Sequence, residues 1–157
     1  MYLYRIAPER FIGDLSGQGG SYRDGARWND AGHPVLYFGT NASVAMLEMG
    51  NYIPNPRLIP KDYVLGIYEA ASSAIETVAL DALPDDWDLH PPGRGTQRVG
   101  TDFLEAGNNL ILLVPSAAAA GVDQIAVVNP RHPDSGKISL VSTQRRIYNP
   151  RLFQGFK

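Results

Sequence analysis

Two apolar runs, Leu110–Val114 and Ile125–Val128, limit the architecture of this chain more than any other feature. Each is four or five residues long, enough for a strand buried on both faces and too short for a buried helix. Turn formers close both runs, Pro115-Ser116 after the first and Asn129-Pro130 after the second. Tyr2–Ile6, Val35–Phe38, Tyr63–Glu69 and Ala74–Ala79 also read as strands from their β-branched and aromatic content, with Ile138–Val141 and Arg146–Tyr148 as terminal ones. Helical signals are sparser. Thr40 or Asn41 supplies the cap of a helix expected to reach Met49 and stop at Gly50, with Val44 and Leu47 on its apolar face and Glu48 at the border. Leu83–Trp87 reads as a short helical turn, and Thr101 as the cap of a helix through about Asn108. Gly13–Gly25, with five glycines, and the polar stretch His90–Arg98 read as loops. The proline-rich connector Asn51–Pro60 is placed to lie over a site as a flap. Without a regular β-α-β alternation, the fold class is α+β.

At 157 residues and 44% hydrophobic, the chain suits one domain with a real core. It holds no run of about 18 apolar residues, and Met-Tyr-Leu-Tyr-Arg5 lacks the basic and apolar regions of a secretory signal, so a soluble cytosolic protein is expected. With no cysteine, disulfides, zinc-thiolate sites, iron-sulfur clusters and cysteine nucleophiles are excluded. A net charge of -2 without a basic run argues against direct nucleic-acid binding. Arg outnumbers Lys by 11 to 3, which suits bidentate anion contacts, although arginine codons of a high-GC genome are the favoured reading. The phosphate loop, the dinucleotide fingerprint, the nucleophile elbow and the H-E-x-x-H metal motif are absent. His33, His90 and His132 lie far apart, each beside a proline, so no metal site is expected.

Against this background one constellation carries chemistry. Gly25-Ala-Arg-Trp-Asn29, Val35-Leu-Tyr37 and Ala45-Met-Leu-Glu48 place an arginine, a phenol and a carboxylate at intervals of ten and eleven residues, on a loop, a strand end and a helix. The guanidinium can grip a diphosphate. The ring can stack on a flat base, and the carboxylate can stabilise a developing positive charge or orient a nucleophile. Taken singly, Arg27 reads as a surface ion-pair partner, Glu48 as a solvated helix residue, Tyr37 as a core ring and Ser116 as a turn former.

Their joint order changes that reading. Gly-Ala-Arg27-Trp-Asn29, Pro-Val-Leu-Tyr37, Ala-Met-Leu-Glu48, Leu112-Leu-Val-Pro-Ser116 and Val128-Asn-Pro-Arg-His-Pro133 together resemble the RES domain, named for its arginine, glutamate and serine, from Tyr4-Arg5 to Arg151-Leu152. The resemblance implies a single RES domain over residues 1–157, with a central, mostly antiparallel sheet flanked by short helices, similar to the ADP-ribosyltransferase fold. It further implies the toxin of a bacterial toxin-antitoxin pair, which consumes NAD+ as substrate, needs no other cofactor or metal, and is held by an antitoxin carrying a helix-turn-helix.

Cleavage of the nicotinamide-ribose bond passes through an oxocarbenium-like state, and the leaving group departs as neutral nicotinamide, so one carboxylate suffices. On this reading Glu48 stabilises the ribosyl cation and orients the acceptor, while Arg27 binds the diphosphate or adjacent ribose. Tyr37 stacks on nicotinamide or positions the ribose, and Ser116 hydrogen-bonds a ribose hydroxyl or phosphate. Arg5, in the first strand, is carried over as a second phosphate contact. Trp28 and Trp87 read as packing residues, Asn29 as a loop-fixing side chain and Asn129-Pro130 as a strand-end turn. Departures from the family pattern fall at Gly100-Thr-Asp-Phe-Leu104, Gln124 and Asn149-Pro-Arg151, and bear on acceptor preference and the pocket rim. Water, phosphate or a protein side chain remain open as acceptor, giving a glycohydrolase, a phosphorylase or an ADP-ribosyltransferase. The alternative class is a module that binds a nucleotide or antitoxin without turnover.

Overall fold

Strands β1 (Tyr2–Pro8), β2 (Leu36–Gly39), β3 (Tyr63–Ala70), β4 (Ile75–Thr77), β5 (Ile111–Pro115), β6 (Gln124–Val128) and β7 (Ile138–Gln144) form one sheet in the order β4-β5-β6-β2-β1-β3-β7. The structure, a computed structural model, describes residues 1–53, 55 and 58–154. Neighbouring strands run antiparallel except β4 and β5. The two apolar runs are central, as their length requires: Leu112 pairs with Val127, which pairs in turn with Tyr37, and all of β6 after Gln124 is buried. The expected α+β class and mostly antiparallel sheet are therefore observed. Among the described residues no helix is long and apolar enough to cross a membrane.

Strand register divides the side chains between two faces. Tyr37, Gly39, Leu112, Val127, Tyr4 and Ile6 share one face, and Phe38, Ala126, Ile111, Leu3 and Arg5 the other. Helices α2 (Ala42–Gly50) and α3 (Arg94–Ala106) both pack on the first face, so the helices cover one side more than they flank the sheet. Gly39 permits the close approach of α2, because a Cβ there would lie 2.6 Å from Ala45 N. Gly100 does the same for α3, a Cβ being only 1.8 Å from the carbonyl oxygen of Trp28. On the second face Phe38 and Tyr68 meet edge to face at 4.9 Å, and Ile12 and Leu15 cover them.

Helix α2 starts as expected, with Asn41 Oδ1 accepting from Val44 N at 2.8 Å. Its inward face differs from expectation. Val44 and Ala45 are buried whereas Leu47 is 51% exposed. At about 100° per residue, Glu48 falls on the wheel between Val44 and Ala45, at the centre of the buried arc and not at its border. An acid in the middle of a packed stripe reverses the pattern from which the face was read.

Five further expectations are corrected. The glycine-rich loop contains a short helix, α1 (Gly20–Asp24). The stretch read as a loop to Arg98 is helical from Arg94, and Thr101 is no cap but a buried mid-helix residue whose Oγ1 accepts from Asp30 N at 2.9 Å. The buried stripe of α3 is Thr96, Gly100, Thr101, Phe103 and Leu104, so small and hydroxyl residues hide the helical period until tertiary packing against Trp28 selects it. The helix ends at Ala106 with Gly107 left-handed, two residues before the expected end. Arg146–Tyr148 is not a strand; Ile147 packs on the α2 side and the Tyr148 hydroxyl donates to Met46 O, so this segment docks by side chains rather than by an edge. The connector from Asn51 to Pro60 lies partly outside the described residues, at positions 54, 56 and 57.

Candidate functional site

Ser116 and Glu48 meet at the end of β5. The Ser116 hydroxyl donates to Glu48 Oε1 at 2.6 Å and accepts from Ala119 N at 3.2 Å. Ser116 is fully buried, and its backbone is fixed by three bonds: its N–H to Asp123 O at 2.8 Å, and its carbonyl from Ala119 N at 3.3 Å and Gly121 N at 2.8 Å. With both hydroxyl roles assigned, the proton has one direction, toward the carboxylate. The other carboxylate oxygen accepts a long contact of 3.4 Å from Asn51 Nδ2, one turn on at the end of α2. A half-buried acid is thereby held in one rotamer by a donor that cannot turn away.

Tyr37 lies on the sheet face against which α2 packs. Its hydroxyl donates to Asn29 Oδ1 at 2.6 Å. Asn29 is itself buried and spends its amide on Ser21 O at 2.8 Å and Asp30 O at 3.0 Å. The loop-fixing role expected for Asn29 is present, and a second, orienting the phenol, was not legible in the sequence. Burial raises the Tyr37 phenol well above its ordinary range, opposed by a hydrogen bond with the Trp28 backbone and assisted by the nearby Tyr52. The phenol is thus neutral, and its proton is committed to Asn29.

Arg27 sits on the loop before β2 and donates from Nη1 to Trp87 O at 2.6 Å and to Leu89 O at 2.8 Å. It reaches the Ser116 turn through Trp87, whose ring stacks on Trp28 at 6.4 Å and touches Gly121. Both tryptophans pack as expected, and no sequence signal marked the carbonyls of 87 and 89 as partners of Arg27.

Arg5 is not brought into this cluster. It lies on the opposite sheet face, its guanidinium 5.5 Å from the centroids of both Phe38 and Tyr68, and Nη2 donates to the carbonyls of Phe11, Ile12 and Asp14 at 2.9 to 3.0 Å. Here Arg5 tethers the loop that covers the sheet. Asn129 has the structural role expected of it, donating to Leu104 O at 3.1 Å and accepting from Arg131 N at 3.0 Å. A cavity of about 410 Å³ opens beside it, between the Gly32–Pro34 turn and the end of α3, at the end of β6 away from Ser116. It is lined by none of Arg27, Tyr37, Glu48 and Ser116, so the chemistry-bearing cluster and this cavity are separate places.

A clamped carboxylate can stabilise a developing positive charge, and a guanidinium with donors left over can bind an anion. Residues 2–149 match the family model of the RES domain. The chain belongs to the RES domain family. This RES domain is 31% identical to Toxin Res of Yersinia enterocolitica, over 97% of the chain and 99% of that protein. It is 30% identical to the Prs ADP-ribosylating toxin of a Sphingobium species, over 90% of the chain and 88% of that protein. Its fold is that of a chain in the crystal structure of the M. tuberculosis MbcT-MbcA toxin-antitoxin complex, with a TM-score of 0.75 at 23% identity, covering 98% of this RES domain and 86% of that chain.

Proposed function

We propose that this chain is the toxin of a toxin-antitoxin pair and consumes NAD+ by breaking its nicotinamide-ribose bond. The observation that carries the reading is the 2.6 Å bond from Ser116 Oγ to Glu48 Oε1, which fixes a carboxylate at the centre of a helix face where packing alone would place an apolar residue. A module that only held an anionic nucleotide would gain nothing from such an acid.

In the reaction, the bond between C1′ and the nicotinamide nitrogen breaks, both electrons leave with the nicotinamide, and the ribose carries the positive charge that Glu48 faces. Arg27 holds the diphosphate with the part of its fork that the 87 and 89 carbonyls leave over, and Tyr37 offers its ring to nicotinamide or ribose. With water as acceptor the products are nicotinamide, ADP-ribose and a proton; with phosphate, ADP-ribose 1″-phosphate takes the place of ADP-ribose. No step calls for a metal or a second cofactor. A transferase acting on a protein side chain is the second reading, supported by the similarity to a toxin named for ADP-ribosylation.

The similarity to a chain from a toxin-antitoxin complex supports an antitoxin partner, for which we propose a helix-turn-helix protein, with both acting in the cytoplasm. Leu47, Tyr52, Leu89 and Val122, all at least 51% exposed, lie on the segments that carry the site and offer that partner apolar contacts.

Incubation of the purified chain with NAD+, with nicotinamide release followed by chromatography, tests the reading. Wild type releases nicotinamide and Glu48→Gln loses nearly all of that release. Equal, negligible release from both, with NAD+ still bound, ends the enzyme reading. Mass spectrometry of products made with and without phosphate and lysate assigns the acceptor.

A further inference from the structure

Trp87 touches both halves of the site without belonging to either. Between Asp85 and Leu89 it is the one residue that is not exposed. Its backbone carbonyl accepts Arg27 Nη1 at 2.6 Å, and the carbonyl of Leu89, two residues on, accepts the same nitrogen at 2.8 Å. The indole stacks on buried Trp28, the immediate neighbour of Arg27, with 6.4 Å between centroids and 29° between planes. It also meets Gly121, where a Cβ would lie 3.2 Å from Cζ2. Gly121 has φ +73° and donates to Ser116 O at 2.8 Å.

We propose that Trp87 is a positioning residue that holds the Arg27 fork and the Ser116 turn in one frame and thereby sets how tightly the phosphorylated part of the substrate is gripped. This rests on the NAD+-cleaving reading of the same site. A free arginine side chain has many rotamers, and a fork is useful only when pre-aimed. Here the aim comes from two carbonyls on an otherwise exposed segment, so their position depends on the one ring that anchors it. Because Arg27 holds substrate equally before and during bond breaking, losing its aim changes binding more than turnover.

Trp87→Ala is expected to raise the NAD+ KM about tenfold while kcat stays within about threefold, and Trp87→Phe to recover most of the loss. In an Arg27→Lys background, which lacks the fork, the effect of Trp87→Ala on KM shrinks to less than about twofold. Gly121→Ala, which sets a Cβ 3.2 Å from the indole at a residue with φ +73°, raises KM in the same direction. Should the alanine variant fail to fold, Trp87→Leu, which also removes the indole, carries the same comparison. An equal effect of the Trp87 variants in both backgrounds, or a fall in kcat at constant KM, overturns the proposal. Wild type that releases no nicotinamide ends the NAD+ reading instead. The frame is then judged by 19F NMR of fluorotryptophan-labelled protein, in which Arg27→Lys and Gly121→Ala must each move the Trp87 resonance. If neither does, the frame does not exist.

Discussion

The hydroxyl of Tyr37 and the side-chain oxygen of Asn29, 2.6 Å apart, join the central strand β2 to the loop that carries Arg27. The amide cannot rotate to avoid the phenol, because its nitrogen is held by Ser21 O and Asp30 O. Asn29 is fully buried and has no solvent to fall back on. Asn29→Ala leaves the phenol and two carbonyls short of a partner, and a loss of about 2 to 4 kcal/mol is expected, read as a lower urea midpoint. Tyr37→Phe removes one partner only and costs about 1 to 2 kcal/mol.

The same phenol sets an alkaline limit. Burial raises Tyr37 above its ordinary value of 10.0, so in the unfolded chain it loses its proton at a pH where the folded chain keeps it. The unfolded state then binds fewer protons, and stability falls as pH rises. Tyr37 therefore imposes no penalty below about pH 10 and an increasing one above it. Tyr68 and Tyr148, also raised by burial, act in the same direction. Urea titrations between pH 8 and 11 are expected to show a decline above pH 10 that is shallower in Tyr37→Phe, by up to about 1.4 kcal/mol per pH unit. Parallel curves for the two proteins would dismiss Tyr37 as the cause.

Ser116→Ala separates clamping of the carboxylate from its presence. Glu48 remains, but its rotamer is no longer fixed, and kcat is expected to fall by about 10- to 100-fold with a smaller change in KM. The fold survives, since the backbone bonds of Ser116 do not involve the hydroxyl. A circular dichroism melt within a few degrees of wild type, together with the kinetics, checks both halves.

The central strands and the Asn41 cap were legible because their signals are local: a short apolar run bounded by turn formers, and an amide before an apolar helix. The first half of helix α3 was not, because its inward face is made of Thr96, Gly100 and Thr101, whose fitness shows only once Trp28 is there to be packed against. Glu48 illustrates the same limit within one helix. Its type and order pointed to chemistry, yet its place at the centre of the buried arc follows from Ser116, 68 residues away. Arg5 shows the converse. Position in the first strand is local information, and which face the side chain takes is decided by pairing with β2, where it falls beside Phe38 and across the sheet from Tyr37.

That placement makes Arg5 a test of how the sheet divides function from support. Its guanidinium holds three carbonyls of the Phe11–Asp14 loop and lies between two aromatic rings. Arg5→Met keeps much of the packing volume but leaves those carbonyls without their donor, and a loss of about 2 to 4 kcal/mol is expected. Because the side chain is on the far side from Glu48 and Ser116, the folded variant should keep the wild-type KM for NAD+ within about twofold. Urea denaturation gives the first quantity and nicotinamide release the second. A stable Arg5→Met protein with a KM raised tenfold or more would return Arg5 to the substrate and mean that the ligand passes around the sheet edge to reach it.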